Sequence, residues 1–473
     1  MGGGNKSWFD KGIQMLTHQV DKTPALLPKY EILVVGNNLG ATLTKHVVHE
    51  THGHNTLCTA TVGGEIPHNP LRFLYEQKRV DRARYYINSK LGIDNSSAGT
   101  DGYNVAEYLP EENAVILTNG RRIEYDQLVI ATGMETDLSA VEGLSDALLD
   151  SECPVYSSVD HPGWGSKETK YFRSCGNFTH GDAFFYIPPA PFKGEISNYR
   201  FLADQNSWDW NRTIGKVSPV SSHTVINGNN WFCEHDNATD SFFRDACQRK
   251  NIPVMYNTEL VRVDKSSMTL TLRNKETGEE ETRDFNNLYA LPTAKPHQNL
   301  SDAGLANAES NNLLDVNPMT LQHNKYSNIF GLGDCNNLPT MNTYLGGIAQ
   351  MNVVCNNLMR NLKGLPLNAT YNGYACAPVY TANNEMTWTH FNYPGHSSHG
   401  PGMSFGEFTN WVKSTNLIPS LAMSSGPMAY ARYMAWVSTR KSISKMYEGK
   451  SHGPGYKKKW PEVKGSTANS EAL

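Results

Sequence analysis

Tyr30-Glu31-Ile32-Leu33-Val34-Val35-Gly36-Asn37-Asn38-Leu39-Gly40-Ala41 is the stretch whose reading decides the fold. Four apolar residues run into a glycine, then a small turn, then Gly40-Ala41, and Thr42 to Val48 are able to begin a helix. A buried strand, a tight turn and a helix start form the first βα unit of a dinucleotide-binding domain. The G-x-G-x-x-G/A fingerprint takes Gly36 as its first glycine and Ala41 as its last small residue, but Asn38 stands where the middle glycine lets the backbone approach a pyrophosphate. The next β-branched run, Asn55 to Val62, reads as the second strand. Its end normally carries an acid for the ribose hydroxyls, yet it offers Thr59 and Thr61, and the first acid is Glu65. A threonine hydroxyl accepts without charge assistance and binds more weakly.

Working outward, 473 residues suffice for two or three domains, and a net charge of −4 disfavours nucleic acid as a partner. No apolar run is long enough to cross a bilayer, so any membrane contact is peripheral. Eight cysteines without C-x-x-C spacing argue against a zinc site and a disulfide framework, and the sixteen histidines form no metal-like cluster. The N-terminal stretch 8–20 has amphipathic character but no Arg, which gives a cleavable presequence weak support.

Along the chain, 103–118 and 122–130 read as strands, the second running into Ala131-Thr132-Gly133. Residues 183–188 and 223–228 are strand-like, Asp240 to Asn251 reads as a helix, and 267–273 with 280–292 reads as a β-meander, together a second α/β unit inserted into the first. Its turn, Val225-Ile226-Asn227-Gly228-Asn229-Asn230, lacks G-x-G-x-x-G, which gives no support to NAD(P). Ile329-Phe330-Gly331-Leu332-Gly333-Asp334-Cys335 then returns the chain to the first domain, followed by a helix with Gly346 and Gly347. A-T-G and G-L-G-D in that order are a far more specific pair than either alone.

These residues, from about Tyr30 to Tyr447, resemble the mitochondrial type of sulfide:quinone oxidoreductase, most closely over Tyr326 to Thr340. Asn372-Gly373-Tyr374, Pro378 and Phe391-Asn392-Tyr393 follow the same pattern. The resemblance implies two Rossmann-like domains with a C-terminal membrane-facing region. It also implies FAD, held through Gly36, Asn38, Gly40, Ala41, Thr61, Thr132, Gly133, Gly333 and Asp334. It further implies electrons passing from sulfide through two redox cysteines to ubiquinone. Three departures stand out. The first family cysteine follows a Pro-x-Lys turn, here Pro191-Phe192-Lys193, and its position is Gly194. The second falls on Ala377, with Cys376 one residue off and only a weak candidate. A lysine expected after Met341 is Asn342. Sulfide oxidation needs one sulfur to be attacked and a second to resolve it, and neither glycine nor alanine does this.

The C-terminal stretch carries Phe405, Phe408, Trp411 and Leu417, then Leu421 to Ile443, rich in Met and aromatic residues with Arg432, Arg440, Lys441 and Lys445 interleaved. This suits two amphipathic helices on a bilayer interface or packed against protein.

The expected fold is therefore α/β, with two Rossmann-like domains, the first discontinuous. The divisions are an extension (1–28), the FAD-type domain in two parts (29–150 and 291–370), the second domain (151–290), a membrane- or partner-facing region (371–450) and an exposed tail (451–473). The expected function is that of a relative without sulfide oxidation, a structural accessory subunit of a mitochondrial inner-membrane assembly of respiratory type, peripheral on the matrix side. FAD binding is weakened by Asn38 and Thr61, and no metal is expected. The alternative is an active FAD-dependent oxidoreductase passing electrons from sulfide or another donor to ubiquinone.

Overall fold

The computed structural model describes residues 29–36, 43, 56–59, 105–118, 120–157, 181–199, 201–202, 204–205, 222–382 and 385–393. Asn38, Gly40, Ala41, Thr61, the N-terminal extension, the C-terminal amphipathic segments and the tail lie outside the described residues.

The first sheet grows from β1 (Lys29–Val35), whose Ile32, Leu33, Val34 and Val35 are completely buried. Burial on both faces is what a near-continuous apolar run in a parallel sheet demands. β1 lies parallel to β2 (Thr56–Thr59), with Val34 opposite Cys58. The run 103–118 is two strands rather than one, β3 (Val105–Leu109) and β4 (Ala114–Leu117). Pro110 has no N–H for the ladder and opens a 3-10 turn, Pro110–Glu112, and Asn113 at φ 50° reverses the chain. β4 pairs antiparallel with the start of β5 (Arg122–Ile130), and β5 then runs parallel to β1, with Val129 opposite Val34.

The chain leaves this sheet through β6 (Glu135–Asp137) and the short helix Leu144–Leu149. A second sheet follows from β7 (Val155–Tyr156), β8 (Asp182–Ile187), β9 (Ser222–Asn227) and β10 (Val254–Met255). Between β9 and β10 lies the helix Asn237–Arg249. It begins three residues earlier than the apolar pattern suggests because Asp236 caps it, accepting a hydrogen bond from Thr239 N at 2.9 Å. β11 (Thr258–Asp264), β12 (Thr269–Asn274) and β13 (Glu280–Asp284) form an antiparallel meander. Only the first part of the run 280–292, β13, belongs to it. After β13 the chain turns into β14 (Asn287–Ala290), all buried, which joins the second sheet between β8 and β7. The order there is β10-β9-β8-β14-β7, every pair parallel.

Alternation along β8 divides this domain's core in two. Phe185 and Ile187 face Tyr199, Phe201, Phe232 and Phe243, while Phe184 and Tyr186 face the meander residues Leu260, Val263, Leu270 and Leu272. The aromatic rings stand 5.3 Å apart in the edge-to-face pair Tyr199–Phe243 and in the stacked pair Phe185–Tyr289.

β15 (Thr293–Lys295) pairs antiparallel with β6, so the outgoing and returning chains form one ribbon. After the short pair β16 (Ala306–Asn307) and β17 (Leu313–Leu314) comes β18 (Ile329–Gly331), parallel to the upper end of β5 with Ile329 opposite Leu128. The helix Tyr344–Leu362 follows, its N-terminus capped by Thr343, and the hairpin β19 (Ala375–Ala382) and β20 (Glu385–Phe391) completes the described chain. Among the described residues no helix is long and apolar enough to cross a membrane.

Candidate functional site

Ligands of open α/β sheets bind beyond the carboxyl ends of the strands. Three turns converge there on the first sheet. β1 ends in Gly36 at φ 137°, and a Cβ at that position would run into the carbonyl oxygen of Ala131. β5 ends in Ala131-Thr132-Gly133, tied to β1 by Ala131 N donating to Val35 O at 2.7 Å. β18 ends in Leu332-Gly333-Asp334, tied to β5 by Leu332 N donating to Ile130 O at 2.9 Å. Gly133 and Gly333 hold φ of 68° and 84°, and Gly333 N donates to Gln350 Oε1 of the helix Tyr344–Leu362 at 2.8 Å. The structure thus brings together Gly36, Thr132, Gly133, Gly333 and Asp334, which the sequence separates widely.

Asp334 is half-buried, and its carboxyl has no hydrogen-bond partner among the described residues. Burial pushes it above the usual carboxylate range, and the charge of Lys193 acts in the opposite direction. The Asp334 carboxyl can accept from water or from a ligand hydroxyl through its oxygens. It is therefore suited to the polyol chain of a flavin, and the flavin side of the cleft fits FAD. The positions that would face its adenosine half, Asn38, Gly40, Ala41 and Thr61, lie outside the described residues.

From the second domain, the turn Pro191-Phe192-Lys193-Gly194-Glu195 reaches into the same place. Burial lowers the Lys193 ammonium to about 8, partly offset by Asp334. Burial raises the Glu195 carboxyl to about 8. Asn342 N, which donates to its Oε1 at 3.2 Å, pulls it down, while Asp334 and Glu234 push it further up. Sequence reading missed both residues as candidates, although two charges in an otherwise apolar turn were a visible signal.

Gly194 sits at φ 70° and begins the 3-10 turn Glu195–Asn198, which packs against β19. Ala377 lies in β19, 1% exposed, in the same core cluster as Phe192, Ile196, Tyr199 and Met341. The elements assigned to the two family cysteines are in contact, and at those positions they carry a hydrogen and a methyl group. Cys376 is opposite His390 in the hairpin register, and its side chain lies outside the described set.

Two described thiols, Cys233 and Cys335, lie in the cores beside these turns. Cys233 is buried, and burial, followed by the charge of Glu195, pushes its thiol well up. Cys335 has no exposure, donates from Sγ to Ile130 O at 3.4 Å, and is pushed up to about 11 by burial. The thiolate is the reactive form, so both are chemically quiet.

The corresponding turn of the second sheet is filled by its own side chains. Asn227 Oδ1 accepts from Asn229 N at 3.0 Å, and Asn229 Nδ2 donates to Pro188 O at 3.1 Å. At the start of the helix Asn237–Arg249, Asp236 and Asp240 take the backbone donors, the latter accepting from Phe232 N at 2.6 Å. Among the described residues no group of three His, Cys, Asp or Glu is placed to hold a metal.

One mixed and one parallel sheet joined by an antiparallel ribbon, with a cleft at the carboxyl ends of the first sheet's parallel strands, define a protein of the FAD/NAD(P)-binding oxidoreductase fold. No family model matches the chain. Over 316 residues it is 29% identical to the mitochondrial sulfide:quinone oxidoreductase of Schizosaccharomyces pombe, covering 65% of this chain and 64% of that protein. The same enzyme from Mus musculus is 26% identical over 313 residues, covering 65% and 66%. The chain thus spans a little under two thirds of the length of the first of these relatives. These likenesses, with the shared fold, are those of a divergent relative of the mitochondrial sulfide:quinone oxidoreductases. Among solved structures, a chain of the Tetrahymena thermophila mitochondrial ATP synthase is 34% identical, with a TM-score of 0.73, covering 92% of this chain and all of that one. The sulfide:quinone oxidoreductase of Aquifex aeolicus shares the fold at 15% identity and a TM-score of 0.63, covering 88% and 92%.

Proposed function

We propose that this protein is a structural subunit of a mitochondrial membrane assembly, built on an oxidoreductase scaffold that no longer oxidises sulfide. One observation carries the reading. The 3-10 turn Glu195–Asn198, which Gly194 opens, packs against strand β19, and the two positions that correspond to the family cysteines are Gly194 and Ala377. Without a sulfur to attack and another to resolve it, sulfide has no path to a flavin. Likeness across nearly the whole chain to a component of the Tetrahymena mitochondrial ATP synthase supports the structural role and points to that class of assembly. Relatives named as mitochondrial support a mitochondrial setting, and the basic, Met- and aromatic-rich C-terminal stretch suits peripheral contact on the matrix side of the inner membrane or with neighbouring subunits. Nicotinamide cofactors have no place in this reading, because the second-domain turn is occupied by Asn229 and by the carboxylates of Asp236 and Asp240.

A second reading rests on Asp334. Its carboxyl, which accepts no hydrogen bond from the described residues, is suited to hold the ribityl side of FAD, with Gly36, Thr132, Gly133 and Gly333 around it. When bound, the flavin would supply two-electron storage. Asp334 would orient it, Gly36 and Gly133 would let the backbone lie close to it, and ubiquinone would be the acceptor for a donor other than sulfide. Purification of the protein from mitochondrial membranes separates the two readings. Colourless protein that migrates with a large assembly supports the structural subunit. Stoichiometric flavin absorbance, bleached by a donor and restored by a quinone, supports the enzyme.

A further inference from the structure

Two of the residues that depart from the family pattern or stand beside a departure meet each other. Asn342 occupies the position expected to be lysine, and Glu195 directly follows the Gly194 that replaces a cysteine. Asn342 N donates to Glu195 Oε1 at 3.2 Å, across 147 residues of sequence. The contact joins the two domains, since Glu195 follows β8 of the second sheet and Asn342 follows β18 of the first. Beside it, Met341 is 1% exposed and packs within the second domain's aromatic core with Phe192, Ile196 and Tyr199. A second strap lies close by, where Ala294 N donates to Pro191 O at 2.9 Å. The segment between β18 and the helix Tyr344–Leu362 is thus anchored in the other domain by one apolar side chain and one hydrogen bond.

We infer that Glu195 and Asn342 form an interdomain latch, built where the sulfur relay would stand and seated where Asp334 and Glu234 oppose a charge on Glu195. The inference rests on the structural-subunit reading, in which a cleft relieved of redox chemistry becomes a joint. The charged and titratable groups that act on Glu195 are Asp334 from the first domain and Glu234, Cys233 and Tyr199 from the second, Lys193 on the same turn acts on Asp334, and β19 adds Ala375, Ala377 and Val379 to the adjoining core. Two of the nearest charges, Asp334 and Glu234, are acids, so a charge on Glu195 is opposed by both as well as by burial. Because the carboxyl is raised from 4.5 to about 8, the folded chain keeps a proton there that the unfolded chain has lost. Its contribution to stability is fully present below about pH 4.5 and is lost as pH rises through about 8.

The test uses the full chain and three forms, wild type, Glu195→Gln and Glu195→Ala. Glutamine keeps the acceptor and never ionises. The Tm of wild type relative to Glu195→Gln is expected to fall by several degrees between pH 5 and pH 9. Amide exchange of the peptide containing Asn342, corrected for intrinsic rate at one pH, is expected to be slow in wild type and in Glu195→Gln and at least tenfold faster in Glu195→Ala. Parallel Tm curves, or equal exchange in all three forms, would overturn the latch. Flavin measured in the same preparations keeps the premises separate. Stoichiometric bound flavin would remove the structural-subunit reading, whereas failure of the exchange result with flavin-free protein would remove the latch alone.

Discussion

Gly333 and Gln350 are joined by a hydrogen bond of 2.8 Å that fastens the turn after β18 to the helix behind it. Gln350 is 4% exposed, so water does not readily replace the bond. Replacing it by Leu keeps the volume near constant and leaves the Gly333 N–H unpaired. The expected cost is about 1–3 kcal/mol, read as a lower urea midpoint with an unchanged slope.

Gly36 lies under the Ala131 carbonyl with no room for a Cβ and a backbone conformation that side chains rarely adopt. Gly36→Ala should therefore separate the ends of β1 and β5. Strain of about 1–3 kcal/mol is expected, with further loss from the displaced ladder, and soluble yield and the urea midpoint report it. Gly133→Ala is the control. It also has positive φ, but open space surrounds its Cβ position, so its effect should be the smaller of the two.

The contrast between these glycines shows what was legible in the sequence. The apolar run before Gly36 and the pair of turns, A-T-G and G-L-G-D, revealed an α/β fold because buried parallel strands have few alternatives. The break at Pro110 was also available, since proline has no ladder donor. The transfer of β14 into the second sheet was not legible. Only pairing with β7 and β8 distinguishes it from a fourth meander strand. In the cleft, the absence of sulfur at 194 and 377 was visible in the letters alone. The joint roles of Lys193, Glu195 and Asp334 were not, because they depend on contacts between segments far apart in the chain.

Lys193 and Asp334 are coupled across the domain junction. Between about pH 8 and pH 10.5 the unfolded chain holds a proton on Lys193 that the folded chain has released, so stability rises with pH through that window. Lys193→Met should abolish the rise. At neutral pH the same variant leaves Asp334 without its opposing charge. Any loss is expected to be smaller than for a hydrogen-bonded buried pair, because the two charges act on each other without a hydrogen bond and burial opposes both. Adding Asp334→Asn should recover part of it, and a thermal-denaturation double-mutant cycle measures the coupling.

Thiol labelling gives an independent view of the cleft. Cys153, Cys233, Cys247 and Cys335 are buried, and Cys355 is half-buried. In native protein at pH 8, iodoacetamide should modify Cys355 faster than Cys233 or Cys335, whose thiolates burial disfavours. Mass spectrometry of the digested protein reads the order. Fast labelling of Cys233 would place a reactive sulfur next to Glu195.

The most direct test of the account is exposure of the purified full-length protein, supplied with FAD, to sulfide in the presence of a short-chain ubiquinone, with flavin absorbance and quinone reduction followed together. The account predicts no sulfide-dependent bleaching and no quinone reduction above the rate without protein. Sulfide-driven reduction at a catalytic rate would contradict it.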